Sequence, residues 1–418
     1  MAGLSRRRFL HTAGGAALLG GVAGVLPACA SAGEDTSVDL ATAAIDSDRR
    51  YLDPLGAHQV GVVATHQAEG LLAAFTVHAR DRDELRDTFQ ALTEEIRRLM
   101  SGTPYEERDP DFPPLHTGTV GNPVPPSDLS VVVSVGASLF DERYGLADRR
   151  PAELEPMPFL ANDRLDPDRT HGDLLLNIAS ADQEVTLFAL RQLMRVTRGN
   201  LGLHWMLEGY NRRTEAAPGE AGVRNLMGFV DGTANLDPSD DALMDRQVWV
   251  ADGDGEPAWS VGGTYQVVRV IRMFVEFWDR TRLGEQEALI GRRKSNGAPL
   301  DGEVETDVPD YAADPDGELT PLDAHIRLAN PRTAETEDQR ILRKGFSYSR
   351  GFDGDGQLDQ GLAFVSYQRS LERQFLPVQA RLAGEPLEEY LLPEGGGFFF
   401  ALPGTPDEAG YLGEGLLR

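Results

Sequence analysis

Apolar residues recur at intervals of three and four between residues 81 and 102, the spacing of one face of an α-helix. These apolar positions are Leu85, Phe89, Leu92, Ile96 and Leu99. Asp81 precedes them where a helix-capping side chain belongs, and Glu84 follows three residues later. Gly102 stands where a left-handed residue often ends a helix. The pattern therefore predicts a capped helix with one buried face.

Short apolar runs around this helix are typical of buried strands. They cover residues 70–77, 130–135 and 174–178, and a second amphipathic pattern predicts a helix over residues 180–195. The order of these elements favours a β-α-β-β-α-β unit of the ferredoxin-like kind, which is built on an antiparallel sheet.

A second set of elements repeats the theme. Strands are predicted over residues 264–278, 340–349, 361–368 and 397–402, and helices over residues 284–293 and 370–382. A polar stretch at residues 212–224 separates the two sets, and the acidic residues 301–320 predict a surface loop. We therefore expect an α+β fold of two ferredoxin-like domains with antiparallel sheets, at residues 51–215 and 216–418.

The amino-terminal residues have the pattern of an export signal. Arg6 and Arg7 are followed by Phe-Leu, by an apolar stretch at residues 13–25 and by small residues up to position 32. The paired arginines resemble a twin-arginine signal over residues 1–32, followed by a linker over residues 33–50. The apolar stretch is short for a membrane anchor. Cys29 lies in a segment similar to a lipoprotein cleavage box, so the mature protein is expected to be periplasmic, extracellular or lipid-anchored at Cys29.

Composition excludes several functions. The formal net charge of −27 repels nucleic acid and anionic lipid, but not cationic molecules. Cys29 is the one cysteine of the chain, which excludes thiolate metal clusters and disulfides from the mature domain. The sequence has no C-x-x-C-H, H-E-x-x-H, G-x-S-x-G, phosphate-binding P-loop or dinucleotide fingerprint. Covalent haem attachment, zinc hydrolysis and these nucleotide-binding folds are therefore not indicated.

Two segments depart from the helix and strand patterns. Asp231 lies between Val230 and Gly232 in an otherwise apolar run, and His325 lies in a short mixed segment that ends at Asn330-Pro331. Taken singly, each has an ordinary structural interpretation, since Asp-Gly is a common turn and histidines are often half-buried. A single histidine can nevertheless hold a haem iron.

The ordered set Gly228-x-x-Asp231-Gly232, His325 and Arg343, 18 positions after His325, resembles the signature of dye-decolorising peroxidases. The flanking segments RNLMGFVDGTAN, DAHIRLANPRT, ILRKGFSYS and GGGFFFALPG are similar as well. They resemble best the exported deferrochelatase/peroxidase branch of bacterial iron-uptake systems. The similarity extends from about residue 56 to about residue 404.

This resemblance implies one haem b per chain, bound by the C-terminal domain. His325 would be the iron ligand, with a hydrogen-bond acceptor that the sequence does not identify. Asp231 would be the acid–base residue and Arg343 the cation beside it. Further haem contacts are implied for Gly232, Thr233, Ala234, Asn330, Pro331, Arg332, Leu362 and Phe364. Gly345 stands where some branches of the family carry an asparagine.

Two functions follow from the resemblance. The first is a peroxidase that reduces hydrogen peroxide and oxidises bulky phenolic or dye-like donors. The alternative is a deferrochelatase that handles haem and iron, or oxidises ferrous iron, beside an iron-uptake permease. Members of the family often assemble into dimers or larger oligomers, so a homo-oligomer is also expected.

Overall fold

The structure is a computed structural model that describes residues 49–212 and 223–418. The predicted signal over residues 1–32, Cys29, most of the predicted linker and the centre of the polar stretch at 212–224 lie outside the described residues. The domain boundary at 215/216 falls in that stretch and stays a prediction. In the described part of the chain, no helix has both the length and the apolar character needed to cross a membrane.

Within the described residues, nine strands form one antiparallel sheet. The strands are β1 (Glu69–Val77), β2 (Ser130–Gly136), β3 (Leu174–Ser180), β4 (Leu201–Tyr210), β5 (Thr264–Met273), β6 (Leu342–Arg343), β7 (Phe346–Phe352), β8 (Leu358–Gln368) and β9 (Leu391–Ala401). The α-helices are α1 (Val60–Val63), α2 (Arg82–Ser101), α3 (Gln183–Val196), α4 (Asp241–Gln247), α5 (Val275–Trp278), α6 (Leu283–Ile290), α7 (His325–Ala329), α8 (Leu376–Leu382) and α9 (Glu414–Leu417).

Each half of the sheet has the ferredoxin-like strand order. In the first half β1 lies between β3 and β4, and β2 pairs with the outer edge of β3. In the second half β5 lies between β8 and β9, and β6 and β7 pair with the outer edge of β8. The halves join where β2 pairs with β9 and β4 pairs with β7, so the sheet closes into a barrel. The predicted fold of two ferredoxin-like units is confirmed.

Both faces of β1, β2 and β3 are buried, which explains their continuous apolar sequences. On β1, Leu71 and Phe75 pack in the same core cluster as residues of α2 and α3. The alternate residues Leu72 and Ala74 pack in a second cluster with residues of β5, β8 and β9. The caps of α2 form as predicted, because Asp81 Oδ1 accepts from the Glu84 N–H at 2.9 Å and Gly102 has φ +65°.

Several predicted boundaries were wrong. The strand predicted over residues 264–278 ends at Met273, and the chain turns into α5, where Trp278 packs in a separate cluster. The strand predicted over 340–349 is interrupted between β6 and β7. The first turn of the helix predicted over 370–382 is a wider π-turn at Leu371–Phe375. The last strand begins at Leu391 rather than residue 397.

Candidate active site

A cavity of about 410 Å³ lies in the second half of the fold. Its walls come from β5, β8, α7, α8 and the loop that follows residue 223. All of the predicted site residues except Pro331 line it: Asp231, Gly232, Thr233, Ala234, His325, Asn330, Arg332, Arg343, Leu362 and Phe364. The volume is within the range of small-molecule and cofactor pockets.

His325 is the first residue of α7, and its ring is held by Glu385. The ring Nδ1 lies 2.9 Å and 3.1 Å from the two carboxylate oxygens of Glu385. Because a carboxylate accepts, Nδ1 carries the proton and Nε2 is left free to bind a metal. Burial lowers the pKa of His325, but the Glu385 carboxylate outweighs burial and the pKa is raised.

Glu385 was missed by sequence reasoning. It is 60 residues from His325, just before the short turn Pro386–Tyr390, and its side chain is only 5% exposed. A carboxylate in a sequence such as Gly-Glu-Pro-Leu is ordinary, so no local signal indicates its partner. The fold supplies the acceptor because α8 packs against α7 and Glu385 follows α8.

Asp231 and Arg343 also face each other in the cavity. Arg343 Nη1 lies 3.8 Å from Asp231 Oδ1, and both side chains are about one-third exposed, at 35% and 32%. Asp231 Oδ1 also accepts from the Gly232 N–H at 2.7 Å. Arg343 Nη2 donates to the Thr233 carbonyl at 2.8 Å, so the guanidinium is fixed to the loop that carries the aspartate.

Asn235 is a second residue that sequence reasoning did not select. Its side chain accepts from the Arg343 N–H at 2.9 Å and donates to the Arg343 carbonyl at 2.8 Å. These two bonds pair the loop with β6 in the manner of a neighbouring strand. Gly232 and Ala234 have φ of +84° and +58°, so the loop between Asp231 and Asn235 turns sharply. The position of Arg343 relative to Asp231 is therefore set by hydrogen bonds between side chains and backbone groups of the loop and β6.

Two arginines give one wall of the cavity a positive charge. Arg292 is buried and donates from Nη1 to the carbonyls of Gly297 and Glu305 at 2.6 Å and 2.9 Å. The buried Nε of Arg332 has no hydrogen-bond partner. Burial, with Arg332 and Arg343 nearby, lowers the pKa of Arg292. Among the described residues, no carboxylate lies within ion-pair distance of either arginine, so this wall favours an anion.

Much of the cavity wall is apolar, and Leu362 and Phe364 are joined there by Met227, Phe229, Ile271, Met273, Ile290 and Leu387. An imidazole with a free Nε2, apolar walls and an uncompensated pair of cations fit haem, a flat apolar ring with one iron and two carboxylates. The residues present are therefore suitable for a haem held by one protein ligand.

Comparison with protein families decides the classification. The N-terminal model of Dyp-type peroxidases matches residues 59–211, and the C-terminal model matches residues 222–406. The chain belongs to the Dyp-type peroxidase family. A deferrochelatase of Escherichia coli strain K12 is 46% identical over 416 residues, which cover 99% of this chain and 97% of that protein.

Solved structures of the Dyp-type peroxidase family have the same fold. A DyP-type peroxidase from Cellulomonas bogoriensis superposes with a TM-score of 0.79 at 34% identity, over 88% of this chain and 98% of that one. Ferric DtpA from Streptomyces lividans superposes with a TM-score of 0.78 at 37% identity, over 88% and 97% of the two chains. The predicted family is therefore confirmed.

Trp205, Trp249 and Trp278 are buried in this Dyp-type peroxidase, and Trp259 packs against the main core. Trp278 donates from its ring N–H to the Met227 carbonyl at 2.9 Å, which fixes the chain just before the Asp231 loop. These contacts indicate that the tryptophans serve mainly in packing.

Proposed function

We propose that the protein is a haem b peroxidase that binds one haem per chain through Nε2 of His325. It would reduce hydrogen peroxide and oxidise bulky phenolic or dye-like donors. The observation that carries this proposal is the presence of two polar pairs in one apolar cavity: His325 with Glu385, and Asp231 with Arg343. The bound haem supplies the redox chemistry of iron, and the protein groups supply proton transfer and charge stabilisation.

The contacts of the side chains support the following roles. The Asp231 carboxylate accepts a proton from hydrogen peroxide and returns it to the departing oxygen. The fixed charge of Arg343 stabilises the negative charge that develops as the O–O bond breaks. Glu385 accepts from Nδ1 of His325 and so makes Nε2 a stronger electron donor. Arg292 and Arg332 would offset the carboxylates of a bound haem.

The alternative function is haem and iron handling. It is favoured by one specific observation, that relatives 46% identical over nearly the whole chain are named deferrochelatases. In this case the protein would bind haem, release or oxidise iron and act beside an iron-uptake permease, with peroxidase activity of secondary importance. We also propose export by the twin-arginine signal at residues 1–32, anchoring through Cys29 if that residue is acylated, and assembly into a homo-oligomer.

The first test is the absorption spectrum of the haem-loaded protein before and after one equivalent of hydrogen peroxide. A rapid spectral change supports the peroxidase. The alternative is supported if the Soret band does not change on addition of peroxide and if fluorescent, iron-free porphyrin forms from haem. Absence of a Soret band after reconstitution would mean that His325 has been misassigned.

Asp231→Asn and Arg343→Ala test the assigned mechanism directly. Each variant is expected to react with hydrogen peroxide about 10²- to 10⁴-fold more slowly, the usual contribution of such groups. Stopped-flow absorption measures this rate. Asp237→Asn is the matched control, because Asp237 is an exposed carboxylate a few residues beyond the same loop. Unchanged rates in both variants would show that the assigned mechanism is wrong.

A further inference from the structure

His66 and Asn211 reach the cavity from the first half of the fold, although most of its lining belongs to the second half. His66 lies three residues before β1 begins, and Asn211 directly follows β4. The first residue of β1 pairs with the last residue of β4, Glu69 with Tyr210. The antiparallel register therefore brings His66 and Asn211 to the same end of the barrel.

The hydrogen bonds of Asn211 define the protonation of the His66 ring. Asn211 Nδ2 lies 3.1 Å from the Gly345 carbonyl oxygen and 2.8 Å from Nε2 of His66. A carbonyl oxygen only accepts, so the Asn211 atom that faces it must be the amide nitrogen. The second hydrogen of that nitrogen then points to His66, whose Nε2 must accept. His66 is therefore a neutral imidazole with its proton on Nδ1.

The surroundings of His66 favour the same neutral form. The ring packs edge-on against Phe346, with centroids 5.2 Å apart. Burial and the nearby Lys344 lower the pKa of His66 to about 4, against weaker opposing effects of the Gly345 carbonyl and Asp231. At neutral pH the ring thus combines an engaged acceptor at Nε2 with a hydrogen-bond donor at Nδ1.

Gly345 explains why a residue from the first half of the fold supplies a polar group to this part of the cavity wall. Side chains alternate along an extended chain, so Arg343 and Gly345 share the cavity side while Lys344 points the other way. Lys344 Nζ accordingly donates to the carbonyls of Gly61 and Ala64. A Cβ at position 345 would lie 2.8 Å from the Ala363 carbonyl oxygen, so this position has little room for a polar side chain. His66 brings a polar group to the wall beside it.

We propose that His66, held as its Nδ1–H form by Asn211, is a further binding residue of the cavity and donates a hydrogen bond to hydrogen peroxide beside Asp231 and Arg343. This inference rests on the proposed peroxidase function. It assigns three polar groups to the peroxide: the Asp231 carboxylate as proton acceptor, the Arg343 guanidinium as cation, and the His66 N–H as neutral donor. Asn211 is a positioning residue, because it acts only through His66.

Fluoride binding to the haem-loaded full chain tests the donor without turnover, because fluoride accepts hydrogen bonds and its binding changes the absorption spectrum. His66→Phe is expected to weaken fluoride affinity about tenfold and to raise the KM for hydrogen peroxide by a similar factor, with a smaller effect on kcat. His66→Gln keeps an N–H donor and is expected to remain within about threefold of the unaltered protein. His116→Phe is the matched control, since His116 does not line the cavity.

Nitrogen-15 NMR of the histidine rings in the haem-free full chain provides a second, independent measurement. The His66 Nε2 is expected to show the shift of an unprotonated nitrogen at neutral pH, and Asn211→Leu is expected to remove this preference. A protonated Nε2 would overturn the inference whatever the haem-loaded protein does.

Equal fluoride affinities in His66→Phe and the unaltered protein would also overturn it, and would leave His66 a packing residue. If the unaltered protein bound haem but did not react with peroxide, the proposed function would be wrong. The fluoride and NMR measurements would still show whether His66 is a hydrogen-bond donor in the cavity.

Discussion

At the scale of single residues, the contact between His325 and Glu385 sets the basicity of the His325 Nε2, the atom that would bind the haem iron in the proposed function. The Glu385 side chain is almost fully buried, and both of its oxygens lie within 3.1 Å of the His325 Nδ1. A buried carboxylate in this position both orients the ring and increases the basicity of Nε2. We therefore expect the haem affinity to depend more on the negative charge of Glu385 than on its orientation of the His325 ring.

Glu385→Gln separates these two effects, because the amide oxygen of glutamine still accepts from Nδ1 but carries no charge. We expect the haem affinity of this variant to fall about 10- to 100-fold, the usual cost of losing such a partner. Absorption titration of the haem-free chain measures the dissociation constant. Glu389→Gln, an exposed residue of the same turn, is the control. An affinity equal to that of the control would mean that Glu385 only orients the ring.

The site residues fall into two groups, those that a sequence motif indicates and those that only tertiary contacts identify. Asp231, His325 and Arg343 stand in sequence segments whose order and flanks are specific, so a family resemblance predicts all three. Glu385, Asn235 and His66 are hydrogen-bonded to partners between 60 and 145 residues away. Tertiary contacts select such partners, and neither a helical nor a strand period records them. The resemblance therefore pointed to the three residues that the structure brings into one cavity, but not to the residues that contact them or lie beside them.

At the scale of elements, the chain at the end of the short strand β6 lies between two opposite environments. Arg343 faces the cavity, and Lys344 enters the core, where its Nζ donates to the Gly61 and Ala64 carbonyls at 3.0 Å and 2.6 Å. These carbonyls belong to the C-terminal end of α1, which has no further turn to satisfy them. Lys344 thus links α1 in the first half to β6 in the second.

The stability of the fold should depend on pH through Lys344. Burial lowers its pKa to about 7, whereas in an unfolded chain the pKa is about 10.4. Between these values the unfolded chain binds more protons than the folded chain, so the free energy of unfolding rises with pH, by at most about 1.4 kcal/mol per unit. Below pH 7 both states are protonated and this contribution no longer changes.

Urea unfolding between pH 7 and pH 10 measures this dependence, with Lys344→Met as the comparison. The methionine variant cannot titrate at this position, so its free energy of unfolding is expected to rise less with pH than that of the unaltered chain. Equal slopes in the two proteins would show that Lys344 keeps its proton when buried.

The elements were predicted well where packing follows the local period and less well where packing breaks it. Helix α2 has a regular apolar stripe and a cap at each end, and its predicted extent agrees with the structure. After Met273 the sequence continues with Phe274 and Val275 and has no polar residue before Glu276, so nothing local indicates that the chain leaves the sheet there. The turn follows instead from tertiary packing, because the Phe274 N–H donates to the Tyr390 carbonyl.

At the scale of the whole molecule, glycines allow the two predicted units to close into one barrel. At the β4–β7 contact, the Phe346 side chain lies against Gly70 of β1 and Gly209 of β4. A Cβ would lie only 2.5 Å from the Phe346 ring at Gly70, and 2.6 Å from its Cβ at Gly209. The repeat of β-α-β-β-α-β elements is visible in the sequence. The closure is not, because a glycine in a strand does not indicate which side chain will occupy its space.

The negative charge of the whole chain should govern how electron donors approach. A net charge of −27 attracts cations and repels anions over a distance that salt shortens, from about 30 Å at 0.01 M to about 3 Å at 1 M. For a cationic and an anionic phenolic donor of similar size, we expect kcat/KM to fall with added salt for the cation and to rise for the anion. Steady-state rates at fixed peroxide measure both.

Hydrogen peroxide is the internal control, because it is uncharged and its reaction with the haem-loaded protein should change little over the same range of salt. The opposite dependence of the two donors on salt would show where the donors react. If the anionic donor were the one slowed by salt, the field at the point of reaction would be positive, and arginines of the cavity such as Arg292, Arg332 and Arg343 would outweigh the acidic surface. Donors would then react at the cavity rather than at a distant part of the surface.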